Sequence, residues 1–426
     1  MCAKETLDAR ARLFYSCAVA AHAGTVDNRL TAIPGAVRVA PAGKGRTFMK
    51  VPLLDLKAQL VMLESEMKSA LNAVVDSTAY INGPAVAELE KAIAAYSGAA
   101  CGVGVSSGTD ALLVSLMALA VGPGDIVVTT PYSFFATAGT VARLGAEIAL
   151  VDIDPVSYNI DPQALQAWFE REPGKAGRVK AIIPVHLYGQ CADMDAILQI
   201  ARSRGIAVIE DAAQAIGSGY PSAAGLKKAG SMGTFGCFSF FPSKNLGGIG
   251  DGGMVVTDDE ALAEKVRLLR NHGAHPKYYH ALIGGNFRLD TVQAAVLLVK
   301  LPHLEDWHAM RRANAAYYDE LLAGSGIAVP KAVYGRQHHI YNQYVISVPE
   351  KRDELRAWLT QNDIGNEVYY PVAFHEQECF RSLGYQKGAF PNSEYAAAHT
   401  LALPVYPELT RPMQERVAET IVSFYG

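Results

Sequence analysis

Lys244 is the only charged side chain between Thr234 and Gly250. It follows the aromatic run Phe238-Ser-Phe-Phe-Pro242 and precedes Gly247, Gly248, Gly250, Gly252 and Gly253. Walled by Phe240, Phe241 and Pro242, its ammonium is partly desolvated, and desolvation lowers the pKa of a cation. A lysine so tuned suits Schiff-base chemistry with a carbonyl. The same pattern also fits a loop lysine standing in water. Ile206-Ala-Val-Ile-Glu-Asp-Ala-Ala-Gln214 ends an apolar strand in two acids, which places Asp211 at a strand's carboxyl end with Gln214 three residues on. Asp211 reads either as the partner of a protonated ring nitrogen or as a helix N-cap. Gly102-Val-Gly-Val-Ser-Ser-Gly-Thr-Asp110 joins a strand to a helix. Gly108 and Thr109 then offer backbone N–H groups and a hydroxyl to an anion, with plain helix capping by Ser107 as the alternative.

A phosphate cradle at Gly108 and Thr109, a hydroxyl at Ser239, a carboxylate at Asp211 and an amine at Lys244 match what pyridoxal 5'-phosphate asks of a protein. Competing motifs fail on context. Gly104-Val-Ser-Ser-Gly108 fits the Gly-x-Ser-x-Gly elbow of α/β-hydrolases, with Ser106 as nucleophile, but no glycine-rich oxyanion loop precedes it. Gly248-Ile-Gly-Asp-Gly-Gly253 has dinucleotide spacing yet runs into a strand instead of a helix. His375-Glu376 lacks a second histidine, and His272 and His275 lack a carboxylate partner, so no metal is expected. A net charge of −4 without blocks of like charge argues against nucleic-acid binding. Six scattered cysteines without a Cys-x-x-Cys point to reduced thiols and a cytoplasmic setting. No apolar run is long enough for a membrane span.

The elements that must position these groups alternate. Strand-like runs over 101–105, 126–130, 147–152, 179–186, 206–210, 235–240 and 254–257 are separated in most cases by helical ones at 109–120, 134–144, 162–170 and 194–204. That alternation predicts an α/β fold around a mostly parallel seven-stranded sheet, with chemistry at the carboxyl ends of the strands. A helix to about 270, a polar loop over 271–285 and one long helix over 289–318 follow. Strands at 341–348 and 366–370 with helices at 351–361, 393–401 and 411–424 then describe a small α+β unit. The expected division is a large domain over 49–310 and a small C-terminal domain over 311–426. Residues 1–48 read as a poorly ordered extension that faintly imitates a signal peptide.

From Met49 onward the chain resembles the sugar aminotransferases of the DegT/DnrJ/StrS family, enzymes with the aspartate-aminotransferase-like fold known as fold type I. The resemblance rests on Ser107-Gly-Thr-Asp-Ala-Leu112, Pro131-Tyr-Ser-Phe-Phe-Ala-Thr137, Pro184-Val-His-Leu-Tyr-Gly189, Glu210-Asp-Ala-Ala-Gln214, Phe238-Ser-Phe-Phe-Pro-Ser-Lys-Asn245 and Gly285-Asn-Phe-Arg-Leu-Asp290. It implies Lys244 as the Schiff-base lysine, Asp211 at the pyridine nitrogen and Gln214 at the ring's phenolic oxygen. Phe134 would stack on the ring and His186 would lie near it. Gly108, Thr109 and Ser239 would bind the phosphate, with Asn286 reaching it from the partner subunit of a homodimer. His339, Tyr341 and His375 fall in stretches that line the sugar pocket. The implied substrates are L-glutamate and a UDP- or dTDP-linked keto-sugar, with Arg270, Lys277 and Arg288 supplying positive field. Residues 277–290 look more like members aminating at C3 than at C4. A dehydratase of the same fold, which typically carries histidine in place of the lysine, and a non-enzymatic sensory relative are the alternatives.

Overall fold

Every strand that the alternation predicts for the sheet is present, and the reason is burial on both faces. The computed structural model describes residues 49–425; the extension expected over 1–48 lies outside the described residues. In chain order the first strands are β1 Cys101–Val105, β2 Ile126–Thr129, β3 Glu147–Leu150, β4 Val179–Ile183 and β5 Ala207–Asp211. A hairpin, β6 Gly219–Ser222 and β7 Gly225–Lys228, precedes β8 Phe235–Ser239 and β9 Gly253–Thr257. The seven-stranded sheet runs β1-β9-β8-β5-β4-β2-β3. β9 is antiparallel to both of its neighbours, and the remaining neighbouring pairs are parallel. Successive residues feed opposite cores. Val128, Ile182, Val208, Met254 and Val256 enter one cluster, and Val127, Ile183, Ile209 and Val255 the other. An apolar strand with period two on two covered faces is what a parallel sheet between helical layers requires.

The hairpin β6–β7 was not expected from the sequence, since Tyr220-Pro-Ser-Ala-Ala-Gly225 has weak strand character. α1 Leu56–Ser77 starts at Asp55, whose carboxylate accepts from the N–H groups of Lys57 and Ala58. α2 Pro84–Ser97 opens on proline and closes on Gly98 in the left-handed region, as its sequence asks. The single long helix expected over 289–318 is three pieces: Thr291–Lys300, a short 3-10 turn Leu301–His303 and Leu304–Leu321. Pro302 carries no N–H and interrupts the ladder there.

A third apolar cluster joins Val51 to Tyr318, Tyr344, Ile346, Leu355, Leu401 and Ile421. Its strands are β10 Tyr344–Ser347 and β11 Thr400–Leu403, paired antiparallel. The strand expected over 366–370 is reduced to a bridge between Glu367 and Ala402, because Asn366 folds its amide back onto the carbonyls of Ile364 and Arg356. The place beside β10 goes to residues expected at the end of a helix. That helix stops at His399, since Thr400 is extended and bonds Ala396 through its hydroxyl. Among the described residues no helix is long and apolar enough to cross a membrane.

Tyr132, fully buried after β2, ties this C-terminal unit to the sheet. Its hydroxyl donates to the Tyr369 carbonyl at 2.7 Å, accepts from the Tyr370 N–H at 3.2 Å and meets the hydroxyls of Tyr188 and Thr400, both at 2.9 Å. Tyr132→Phe strands these buried groups and is expected to cost about 1–3 kcal/mol. A lower urea midpoint at unchanged slope would register that loss.

Candidate active site

The site is built at the carboxyl ends of five strands that point the same way, β1, β2, β4, β5 and β8, where an α/β sheet leaves its crevice. After β1 comes α3 Gly108–Ala118, capped by Ser107, whose hydroxyl accepts the N–H of Asp110 at 3.0 Å. Capping and anion binding are compatible here. The first-turn N–H groups of Gly108 and Thr109 have no intrahelical acceptor. A Cβ on Gly108 would lie 2.6 Å from the Ser239 side chain, and one on Gly253 would lie 2.9 Å from the Gly108 nitrogen. Glycine at both places lets the helix N-terminus close onto the end of β8, so Gly108, Thr109 and Ser239 form one donor cluster.

Asp211 ends β5 and is buried, 5% exposed. It is not a helix N-cap, for no helix follows it. One carboxylate oxygen accepts from the Thr137 hydroxyl at 2.8 Å and the other from the Ala213 N–H at 3.2 Å. Thr137 belongs to α4 Ala136–Arg143, which follows β2. Burial raises the Asp211 pKa, opposed by these bonds and by the charge of Lys244. Lys244, half-buried in the turn after β8, is brought down to about 8 by desolvation, with Asp211 holding it up. The turn is clamped from behind: Lys300, 5% exposed, donates to the Gly247 carbonyl at 2.7 Å, and Gln293 accepts the Ile249 N–H at 2.8 Å.

Gln214 lies beside Asp211 and is buried, its amide oxygen accepting the Tyr188 N–H at 2.7 Å and its nitrogen donating to the Tyr370 hydroxyl at 3.0 Å. Phe134, 56% exposed, stands 6.1 Å from the Tyr370 ring, whereas its neighbour Phe135, also exposed, has one face stacked on Phe380. An exposed aromatic face, a buried carboxylate, a desolvated amine and a donor cluster at a helix N-terminus are the parts that a phosphorylated, protonated aromatic ring with a carbonyl would use.

The profile of the DegT/DnrJ/EryC1/StrS aminotransferase family matches residues 61–422. The chain belongs to that family. Among its relatives, a protein of Geobacillus stearothermophilus described as a pleiotropic regulatory protein is 50% identical over 88% of this chain and 99% of its own length. The UDP-N-acetyl-3-dehydro-alpha-D-glucosamine 3-aminotransferase of Acidithiobacillus ferrooxidans is 41% identical over 87% of this chain and 97% of its own. The solved structure of DesV from S. venezuelae superposes with a TM-score of 0.82 at 38% identity, covering 88% of this chain and 98% of that one.

Several residues named from the sequence make contacts of their own within the fold. Both ring nitrogens of His186 are used: Nδ1 accepts the Ala192 N–H at 3.1 Å, which leaves the proton on Nε2, 2.8 Å from Glu210. His339 is buried and stacked 3.9 Å from Tyr341; desolvation and then Arg336 bring its pKa down to about 3, so it is neutral and accepts the Tyr341 N–H. His375 is buried against Phe390 and bonds Glu394 at 3.0 Å. The ring nitrogens of His186, one of those of His339 and one of those of His375 are thus engaged within the fold. Asn286 is exposed on the segment before helix Thr291–Lys300. Thr137 and Tyr370 were not singled out. Thr137 lay inside a quoted motif, one helical turn beyond Phe134, and that spacing was the available signal. Tyr370 comes from 159 residues beyond Asp211, and nothing local in the sequence marks it.

Because Lys244 titrates near about 8, its labelling by an amine reagent in cofactor-free protein should rise through that pH. In Asp211→Asn the charge that favours the ammonium is gone, so the midpoint moves lower. Mass-spectrometric counting of the labelled peptide against pH checks both shifts.

Proposed function

We propose that this family member moves an amino group from L-glutamate to a keto carbon, C3, of a UDP- or dTDP-linked sugar, working as a homodimer in the cytoplasm. The observation that carries the reading is the desolvated Lys244 amine set against the buried carboxylate of Asp211 at the end of β5. The named 3-aminotransferase relative supports the substrate class and the position of amination. Residues 49–310 serve as the cofactor domain and 311–426 as the smaller domain that covers it.

The cofactor is pyridoxal 5'-phosphate, and when bound it supplies the electron sink that lets an amino acid lose its α-proton. Gly108, Thr109 and Ser239 hold the phosphate by N–H and O–H donation, joined by Asn286 of the partner subunit. Asp211 keeps the ring nitrogen protonated, held in its ionised form by Thr137 and the Ala213 N–H. Gln214 donates to the phenolic oxygen and Phe134 covers the ring face. Lys244 Nζ would move the proton from the donor's Cα to the cofactor's carbon in the first half-reaction, and would move one from that carbon to C3 of the sugar in the second. A pKa near about 8 keeps a useful fraction of that amine neutral at physiological pH.

The 50% identity to a regulatory protein favours a second reading, a cofactor-binding sensor without turnover. Against it stand the lysine and its tuned surroundings. Mixing the purified protein with L-glutamate distinguishes them: the cofactor's visible band is lost, 2-oxoglutarate appears, and a 3-keto nucleotide-sugar restores the band where a 4-keto one does not. No 2-oxoglutarate with any amino donor sinks the aminotransferase reading. Lys244→Ala should lower the glutamate half-reaction by about 10³-fold or more.

A further inference from the structure

Next to the lysine lies a cavity that the groups already described do not use. It has a volume of about 100 Å³ and is lined by Ser243, Arg311, Asn342, Gln343 and Tyr369, with Leu403 on its apolar wall. Arg311, from helix Leu304–Leu321, is 4% exposed. Its Nη1 donates to the carbonyls of Tyr341 at 3.0 Å and Asn342 at 3.4 Å, while its Nε has no partner. Glu408 is the acid that acts on it, yet the two form no ion pair among the described residues. Asn342 and Gln343 line the same cavity with amides whose oxygens have no partner, so each amide is free to turn its NH2 group toward an anion there. A guanidinium buried without a counter-ion is costly, whereas its planar fork is shaped to take a carboxylate in two parallel hydrogen bonds.

The position matters as much as the charge. Ser243 precedes Lys244 in the chain. Tyr369 precedes Tyr370, which bonds Gln214 beside Asp211. The cavity therefore opens between the lysine turn and the segment that closes the ring site, and a volume of this size accommodates a carboxylate with its first carbons or a few waters. Ser243 and Arg311 line the same cavity, which sets a buried cation beside the turn that carries Lys244.

We propose that this cavity is the carboxylate pocket of the amino donor, with Arg311 as the group that binds it. The proposal rests on the aminotransferase reading but is tested apart from it. Glutarate, which has the two carboxylates and no amine to react, is titrated calorimetrically into cofactor-loaded wild type, Arg311→Lys and Arg311→Met. Wild type should bind saturably, Arg311→Met should bind at least about 30-fold more weakly, and Arg311→Lys should lie between. In parallel, KM for glutamate should rise by a similar factor, with kcat and the KM of the nucleotide-sugar little changed. If Arg311 only anchors the Tyr341 and Asn342 carbonyls, Arg311→Met lowers Tm and slows both half-reactions alike with glutarate affinity intact, and the proposal falls. Gln343→Phe extends a ring into the cavity without removing those carbonyl acceptors, so it must also weaken glutarate; unchanged affinity there overturns the proposal even where Arg311→Met does not fold. Absence of glutarate binding in wild type overturns it outright. Arg311-dependent binding without formation of 2-oxoglutarate leaves the pocket standing and removes the aminotransferase reading instead.

Discussion

A carboxylate and an ammonium share one partly dry crevice, and each is made tolerable by the other. Burial pushes Asp211 toward its neutral form while Lys244 opposes it; burial pushes Lys244 toward its neutral form while Asp211 opposes that. Neither group is neutralised by a closer, stronger partner. The carboxylate is held by a hydroxyl and one N–H, bonds that orient it without cancelling its charge. Among the described residues the Lys244 amine makes no hydrogen bond. A lysine held by desolvation and field instead of by a fixed acceptor remains free to form a bond to carbon and to carry a proton.

That balance depends on a second acid which takes no part in it. Glu210 precedes Asp211, and strand alternation sends it to the other side of the sheet. There it accepts the N–H groups of Gly230, Met232 and Gly233 and meets His186. Those N–H groups belong to the loop that leads into β8, so Glu210 sets where β8 begins, and β8 carries Ser239 and the turn with Lys244. Two adjacent acids thus divide the work: Glu210 fixes the scaffold, Asp211 faces the chemistry.

The sheet and the principal site residues were legible because they rest on local patterns. Strands apolar on both faces, a glycine-flanked helix start at Gly108 and an isolated lysine among aromatics are written in consecutive residues. The remainder depends on contacts between distant segments. That both nitrogens of His186 are taken, by Glu210 and the Ala192 N–H, is visible only in the fold. Residues 366–370 have the composition of a strand, but Asn366 spends its amide on the local backbone and the pairing goes to Thr400–Leu403. The break at Pro302 was readable and was overridden by the helical periodicity on either side of it. Tyr370 and Lys300 carry no local signal; only the fold places them.

Lys300 sharpens the physical distinction between a structural and a reactive lysine. Burial brings Lys300 down to about 8, the same value that Lys244 reaches. A depressed ammonium is therefore not by itself a sign of chemistry. What separates the two is the use of the proton. Lys300 donates to the Gly247 carbonyl, so deprotonation weakens a charge-assisted bond that holds the loop. Lys244 has no such bond to lose and stands beside a carboxylate, an open aromatic face and a donor cluster. Its reactivity follows from what the fold leaves unsatisfied around it, and one of the residues that keep it in place is a lysine whose own demand is met.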